Sequence, residues 1–188
     1  MDQLNTKKKV AVFISGRGSN LKSLIKHSKK INSKYKIELV ISNKKKAKGL
    51  FYAKKNKIKN FAIEEKLKLF EKKSLNLIKK HKIKILCLAG FMRVLSKNFL
   101  SKIKISVINI HPSLLPKLKG LNTHERAIKL RHKYSGCSVH FVNEKLDSGK
   151  IILQKKVKIL KKDTPKSLAK KILKLEHVDY NEALNLII

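Results

Sequence analysis

"KISVINIHPSLLP", residues 104–116, is the stretch from which the rest of the chain is read. Its first half is rich in β-branched and apolar residues, as in a strand buried within a sheet. Its second half holds Asn109 and His111, two residues apart and therefore on one side of that strand. Pro112 and Pro116 then end regular structure and fix the loop that follows. Polar side chains at the end of a buried strand are costly unless something binds or reacts there. An amide donor beside an imidazole suits the holding of a carbonyl oxygen as it becomes an oxyanion. For the histidine to act as an acid near neutral pH, a carboxylate should stand nearby to keep it protonated. Acidic residues are scarce, so Asp147 in "EKLDSGK" (144–150) stands out, although taken alone it also reads as a plain turn residue.

Outward from this stretch, strands and helices alternate. "KVAVFIS" (9–15), "KIELVIS" (36–42), "KNFAIEE" (59–65), "KILCLAG" (84–90) and "SVINI" (106–110) read as strands. Helical spacing occurs in "LKSLIKHSKKI" (21–31), "KAKGLFYAKKN" (46–56) and "LFEKKSLNLIKKH" (69–81). Nearly continuous apolar strands alternating with helices predict an α/β fold with a parallel sheet covered on both faces. After the proline loop, "THERAIKLRHK" (123–133) is a helix with Thr123 as its expected N-cap. "GCSVHFVN" (136–143) and "GKIILQKKVKIL" (149–160) alternate instead, predicting an antiparallel excursion. A long amphipathic helix closes the chain, with Asp163 or Thr164 as N-cap and Pro165 as its first residue.

Two further strand ends carry possible chemistry. "SGRGSN" (15–20) follows a strand and opens a helix, where free backbone N–H groups and the helix dipole favour an anion. It matches neither the dinucleotide fingerprint nor a P-loop, and a tight turn without a ligand is the competing reading. "AGFMRVLS" (89–96) closes another strand at the edge where open α/β sheets bind ligands. Phe91, Met92, Val94 and Leu95 would form an apolar slot for a flat ring, or else ordinary core at the start of a helix.

Composition narrows the classes. The 188 residues suit one domain, and no apolar run is long enough for a membrane helix. A short basic and apolar beginning lacks a cleavage pattern, so no leader is expected. Cys87 and Cys137 lie within strands without paired spacing, as small buried hydrophobes of a reduced cytoplasmic protein do. A catalytic thiol is the alternative, though neither cysteine has a basic or helix-terminal setting. The formal charge of +35 invites a nucleic-acid partner. Against that, only Arg17, Arg93, Arg126 and Arg131 are arginines, the lysines spread along the whole chain, and few aromatics are interleaved with them. A solvated lysine surface, able to draw small anions toward a cleft, is the reading adopted.

Taken together, "VFISGRGSNL", "LAGFMRVLS", "VINIHPSLLP", "GLNTHERAI" and "GCSVHFVNEKLDSGKIILQ" resemble the glycinamide ribonucleotide formyltransferases, folate-dependent enzymes of purine synthesis. The likeness extends from about residue 9 to about 180, in the family's order. It implies a formyltransferase fold: a Rossmann-like, mostly parallel sheet with helices on both faces and a small antiparallel extension. Residues 1–188 would form a single domain, about 9–110 as the phosphate-binding half and about 111–188 as catalytic loop, folate-binding extension and C-terminal helix. The implied co-substrate is 10-formyltetrahydrofolate, and the implied acceptor is 5-phosphoribosylglycinamide, with no metal. Gly18, Ser19 and Asn20 would hold the acceptor's phosphate, and Leu173, Lys174, Leu175 and above all Glu176 its glycinamide end. Met92, Arg93, Val94 and Leu95 would line the folate pocket together with Asn109 and the loop Asn143, Glu144, Lys145, Leu146 and Asp147. Asn109 and His111 would bind the formyl oxygen, with Asp147 tuning His111.

The chain departs from the family in three places. The segment 64–73 lacks a folate-contacting arginine, leaving Lys66 or Lys68 as substitutes; Asn122 stands where relatives often have histidine; and the chain ends at Ile188, earlier than many relatives. Two rivals keep the fold and change the acceptor. Formyltetrahydrofolate deformylase would use water, and methionyl-tRNA formyltransferase a charged tRNA; each is expected to carry a further domain. A basic nucleic-acid-binding protein is the remote alternative. Either a monomer or a homodimer fits. His27, His81 and His132 read as surface helix residues, His124 and His140 as neighbours of the site with no role beyond orientation, and His177 as packing.

Overall fold

Alternating apolar strands and amphipathic helices assemble, in a computed structural model that describes residues 7–188, around a seven-stranded sheet. The strands are β1 (Lys8–Ile14), β2 (Tyr35–Ser42), β3 (Lys59–Ala62), β4 (Ile85–Leu88), β5 (Ser106–His111), β6 (Tyr134–Phe141) and β7 (Ile151–Lys158). Between them lie the helices α1 (Ser19–Ser28), α2 (Gly49–Lys55), α3 (Leu67–Lys80), α4 (Lys97–Lys102), α5 (Thr123–Lys129) and α6 (Pro165–Leu186). Residues 1–6, which the single-domain expectation included, lie outside the described residues. No described helix is long and apolar enough to cross a membrane.

The sheet order is β3-β2-β1-β4-β5-β6-β7. β1 to β5 pair in parallel, and β6 joins β5, then β7 joins β6, in antiparallel fashion. Residues along β1 alternate between two cores, as a period of two requires. Val10, Val12 and Ile14 pack toward α1 and α6, whereas Ala11 and Phe13 pack toward α3 and α4. Helices therefore cover both faces, as the apolar strands predict. Chain order reverses between β1 and β4, which makes their carboxyl ends the natural crevice for a ligand. "SGRGSN", "AGFMRVLS" and His111 all leave the sheet at this edge.

Several boundaries differ from expectation for local reasons. The third strand stops at Ala62, because this edge strand is short and Ile63 turns into the core with its N–H bonded to the Ser42 carbonyl. The N-cap position of α5 is Asn122, not Thr123: Asn122 adopts φ 56°, a left-handed conformation asparagine tolerates, and makes no side-chain capping bond, so that Thr123 becomes the first helical residue. The same helix ends at Lys129, four residues early, and Arg131 turns to φ 51° just beyond it. Residues 91–95 are a loop instead of a helix start, and α4 begins only after Ser96, whose hydroxyl accepts from the Phe99 N–H at 3.1 Å.

Helix α6 is fixed at its start by a capping box between Thr164 and Ser167, with Pro165 in its first turn. Further along, the fully buried Tyr180 directs its hydroxyl at the carbonyls of Leu88 (2.9 Å) and Ile108 (3.2 Å). Two strands that end at the ligand edge are thus tied to one helix. Tyr180→Phe leaves those carbonyls without that donor and should lower unfolding free energy by about 1–3 kcal/mol, read as a lower urea midpoint at unchanged slope.

Candidate active site

Asn109 and His111 occupy the last turn of pleat in β5, and the antiparallel register sets Asn109 opposite His140 and His111 opposite Ser138. Asp147 lies between β6 and β7 at φ 46°, in the left-handed region, and is buried. From there its Oδ2 reaches within 3.3 Å of His111 Nδ1, and its Oδ1 within 3.7 Å of His140 Nε2. The Gly120 N–H donates to the same Oδ2 at 2.9 Å. Burial acts to raise the Asp147 carboxyl, yet His140, the Gly120 N–H and His111 together hold it below the ordinary aspartate value. Three residues singled out in the sequence, on two separate segments, thus share one buried cluster.

His140, expected beside the site with no role beyond orientation, is placed there by the strand register. Its Nδ1 donates to the Phe141 carbonyl at 2.8 Å, and its Nε2 stands 3.3 Å from the Asn109 amide nitrogen and 3.7 Å from Asp147 Oδ1. His140 thereby sits between Asn109 and Asp147: a bare Nε2 takes the Asn109 amide, and a protonated one pairs with Asp147. The alternation in "SVHFV" was visible, but the register against β5 that sets it across from Asn109 was not. His124 is half-buried, and burial, then the charge of His111, lowers its pKa. The other nitrogen of the His111 ring, Nε2, donates to the Leu118 carbonyl at 2.9 Å. Both ring nitrogens of His111 thus face acceptors, a setting that pairs a doubly protonated imidazolium completely.

The "SGRGSN" loop opens α1. Gly18 sits at φ 74°, and a Cβ there would lie 2.5 Å from the Gly49 Cα, so glycine is required by both conformation and space. Across the crevice, α6 brings Glu176 to this loop, where Asn20 Nδ2 donates to its Oε2 at 2.9 Å. Burial pushes the Glu176 carboxyl up to about 6, and the Asn20 hydrogen bond opposes that shift. Leu175 packs against the neighbouring core and Lys174 is exposed, so of residues 173–176 it is Glu176 that meets the loop. His27, expected at the surface, is half-buried: it stacks on Tyr35 with 5.7 Å between ring centroids and meets the Asn185 amide at 3.0 Å.

On the other side of β4, Phe91 and Leu95 turn into the core while Met92 and Val94 are exposed. The Arg93 guanidinium is directed at protein, not solvent: Nη1 donates to the Glu65 carbonyl at 2.6 Å, and the group lies 5.8 Å from the Phe70 ring centroid. Asn143 to Leu146 are exposed and lead into Asp147. Lys66 and Lys68 are exposed at the start of α3.

A formyl transferase family model matches residues 8–184. The chain is 42% identical over 185 residues to the human trifunctional purine biosynthetic protein adenosine-3, a match that covers 96% of this chain and 18% of that protein. It thus spans less than a fifth of the trifunctional relatives it matches. Over 177 residues it is 36% identical to the phosphoribosylglycinamide formyltransferase of Bacillus subtilis, covering 92% of this chain and 91% of that one. Among solved structures, the phosphoribosylglycinamide formyltransferase of Anaplasma phagocytophilum superposes with a TM-score of 0.90 at 43% identity, covering 97% of this chain and 87% of that chain.

Because Glu176 is raised from 4.5 to about 6, the native state holds its proton more tightly than the unfolded chain. Its stabilising contribution is therefore complete below about 4.5 and is lost as pH rises through about 6. Glu176→Gln should remove a pH-dependent loss on the order of 2 kcal/mol across this window, measured as the difference between the two proteins' denaturation curves at pH 4.5 and 7.

Proposed function

The chain belongs to the formyl transferase family, and from that premise we propose that it transfers the formyl group of 10-formyltetrahydrofolate to the amine of 5-phosphoribosylglycinamide. The observation that carries this reading is the convergence of Asn109, His111 and Asp147 at the sheet edge that also bears the glycine-rich loop. Gly18, Ser19 and Asn20 bind the acceptor's phosphate through the backbone at the start of α1. Glu176, held against Asn20 at 2.9 Å, receives the glycinamide end. The donor's ring lies along Met92–Leu95 and under the loop Asn143–Asp147. Reaction and binding groups come from both halves of the sequence, so the chain works as one unit. Free, buried Cys87 and Cys137 fit a reducing cytoplasm.

In this mechanism the acceptor amine attacks the formyl carbon and a C–N bond forms; the amine nitrogen gives up one proton, and the bond to the folate nitrogen breaks as that nitrogen takes one up. Negative charge grows on the formyl oxygen as the attack proceeds. Asn109 and the His111 Nε2–H donate to that oxygen, and Asp147 balances the imidazolium charge from the Nδ1 side. The Nε2–H that meets the Leu118 carbonyl at 2.9 Å is the same donor, so residues 112–122 must yield this bond as the formyl group enters.

Incubation with labelled 10-formyltetrahydrofolate and phosphoribosylglycinamide, initiator methionyl-tRNA or no acceptor separates this reading from its relatives. Label should move to phosphoribosylglycinamide; transfer to the tRNA, or release as formate with no acceptor, would overturn it. His111→Ala and Asp147→Asn should each lower kcat by roughly 10²–10⁴-fold, and in His111→Ala tetrahydrofolate binding should stay near the wild-type value.

A further inference from the structure

Phe91–Ser96 form an arch between β4 and α4 that is tied down at its beginning, middle and end. At its beginning, the Met92 N–H donates to Ser15 Oγ at 2.8 Å. In its middle, the Asn43 amide, with its oxygen turned to Arg93, accepts from Nε at 3.1 Å and its nitrogen donates to Ser15 Oγ at 2.6 Å. At its end, the buried Glu71 of α3 takes the Ser96 N–H on one oxygen (2.7 Å) and the Ser96 hydroxyl on the other (2.6 Å). Ser15 and Asn43 are buried too, and they stand just past β1 and β2.

This is a costly way to hold a loop. Burial of a carboxylate is unfavourable without partners, and among the described residues Glu71 is met by the Ser96 N–H and hydroxyl and by no lysine or arginine. In a chain with 47 basic and 12 acidic residues, a cation would have been an easy neighbour. Phe91 and Leu95 already anchor the arch in the core, with Phe91 stacked 5.4 Å from Phe70. What the polar ties add is control over the residues between those anchors. Met92 and Val94 are held outward, 62% and 61% exposed. Among the described residues, the backbone N–H groups of Arg93, Val94 and Leu95 have no hydrogen-bond partner in the chain. An apolar pair and an unused backbone edge, both fixed in place, suit a flat ring carrying its own donors and acceptors.

We propose that Glu71 and Asn43 are positioning residues for the formyl donor: without touching it, they hold the 91–96 backbone in the shape that receives its ring. This rests on the donor being the 10-formyltetrahydrofolate proposed above. On the same reading the amine acceptor meets Gly18–Asn20 and Glu176, none of which hydrogen-bonds to residues 91–96.

Steady-state kinetics of the full chain with both substrates tests the idea. Glu71→Gln and Asn43→Ala should each raise KM for 10-formyltetrahydrofolate roughly tenfold, with kcat and the KM for phosphoribosylglycinamide within about twofold of wild type. Ser96→Ala removes one hydroxyl, leaves Glu71 in place, and should raise donor KM about threefold even if Glu71→Gln does not fold. Unchanged donor KM in all folded variants of an active protein would overturn the proposal, as would an equal rise in both KM values with a fall in thermal midpoint. Absence of turnover in the wild-type protein would instead overturn the activity on which the proposal rests.

Discussion

Asp147 holds a left-handed backbone between two antiparallel strands so that both carboxylate oxygens can face imidazoles. Much of the candidate site is arranged through that one carboxylate. It joins the β6–β7 turn to the end of β5 through His111, to the end of β6 through His140, and to the loop after Pro116 through the Gly120 N–H. Four chain segments that enter the site from different directions are therefore registered against a single charge. Because the charge is buried, these contacts act in a medium that screens them weakly, and each is worth more than its surface equivalent.

The supporting architecture explains why the segments arrive together. A parallel sheet delivers strand ends to one edge, and the reversal of order between β1 and β4 opens that edge into a crevice. Tyr180 ties α6 to β4 and β5, which fixes Glu176, one helical turn earlier, against Asn20. Glycine at 18 lets α2 approach the anion-favouring loop closely enough for the Gly49 N–H to reach the Gly16 carbonyl at 3.0 Å. Packing of the two cores and geometry of the site are in this sense one problem.

Much of this was legible in the sequence because it depends on short periods. Alternation by two located the strands and put Asn109 and His111 on one side; the run of apolar residues in β1, β4 and β5 indicated a parallel sheet. What stayed hidden depends on register and backbone sign. Nothing local in "SVHFV" says that His140 pairs across from Asn109, since that follows from how β6 slides along β5. The left-handed cap at Asn122 displaced a predicted N-cap by one residue, because a good capping side chain at Thr123 does not reveal the φ of its neighbour. Arg93 is placed beside the folate pocket by the resemblance, but that Asn43 and the Glu65 carbonyl, distant in sequence, hold its guanidinium was not legible.

Leu118 and Asp147 share positive φ without being glycine, and both meet the His111 ring. Each such residue costs on the order of 1–3 kcal/mol, a cost that glycine would relieve. Lineages selected for heat tolerance alone would accumulate replacements here, and at position 147 the replacement that most relaxes the backbone also deletes the carboxylate. Gains in thermal stability that keep this carboxylate must therefore come from elsewhere in the chain, such as its helices and lysine-rich exterior.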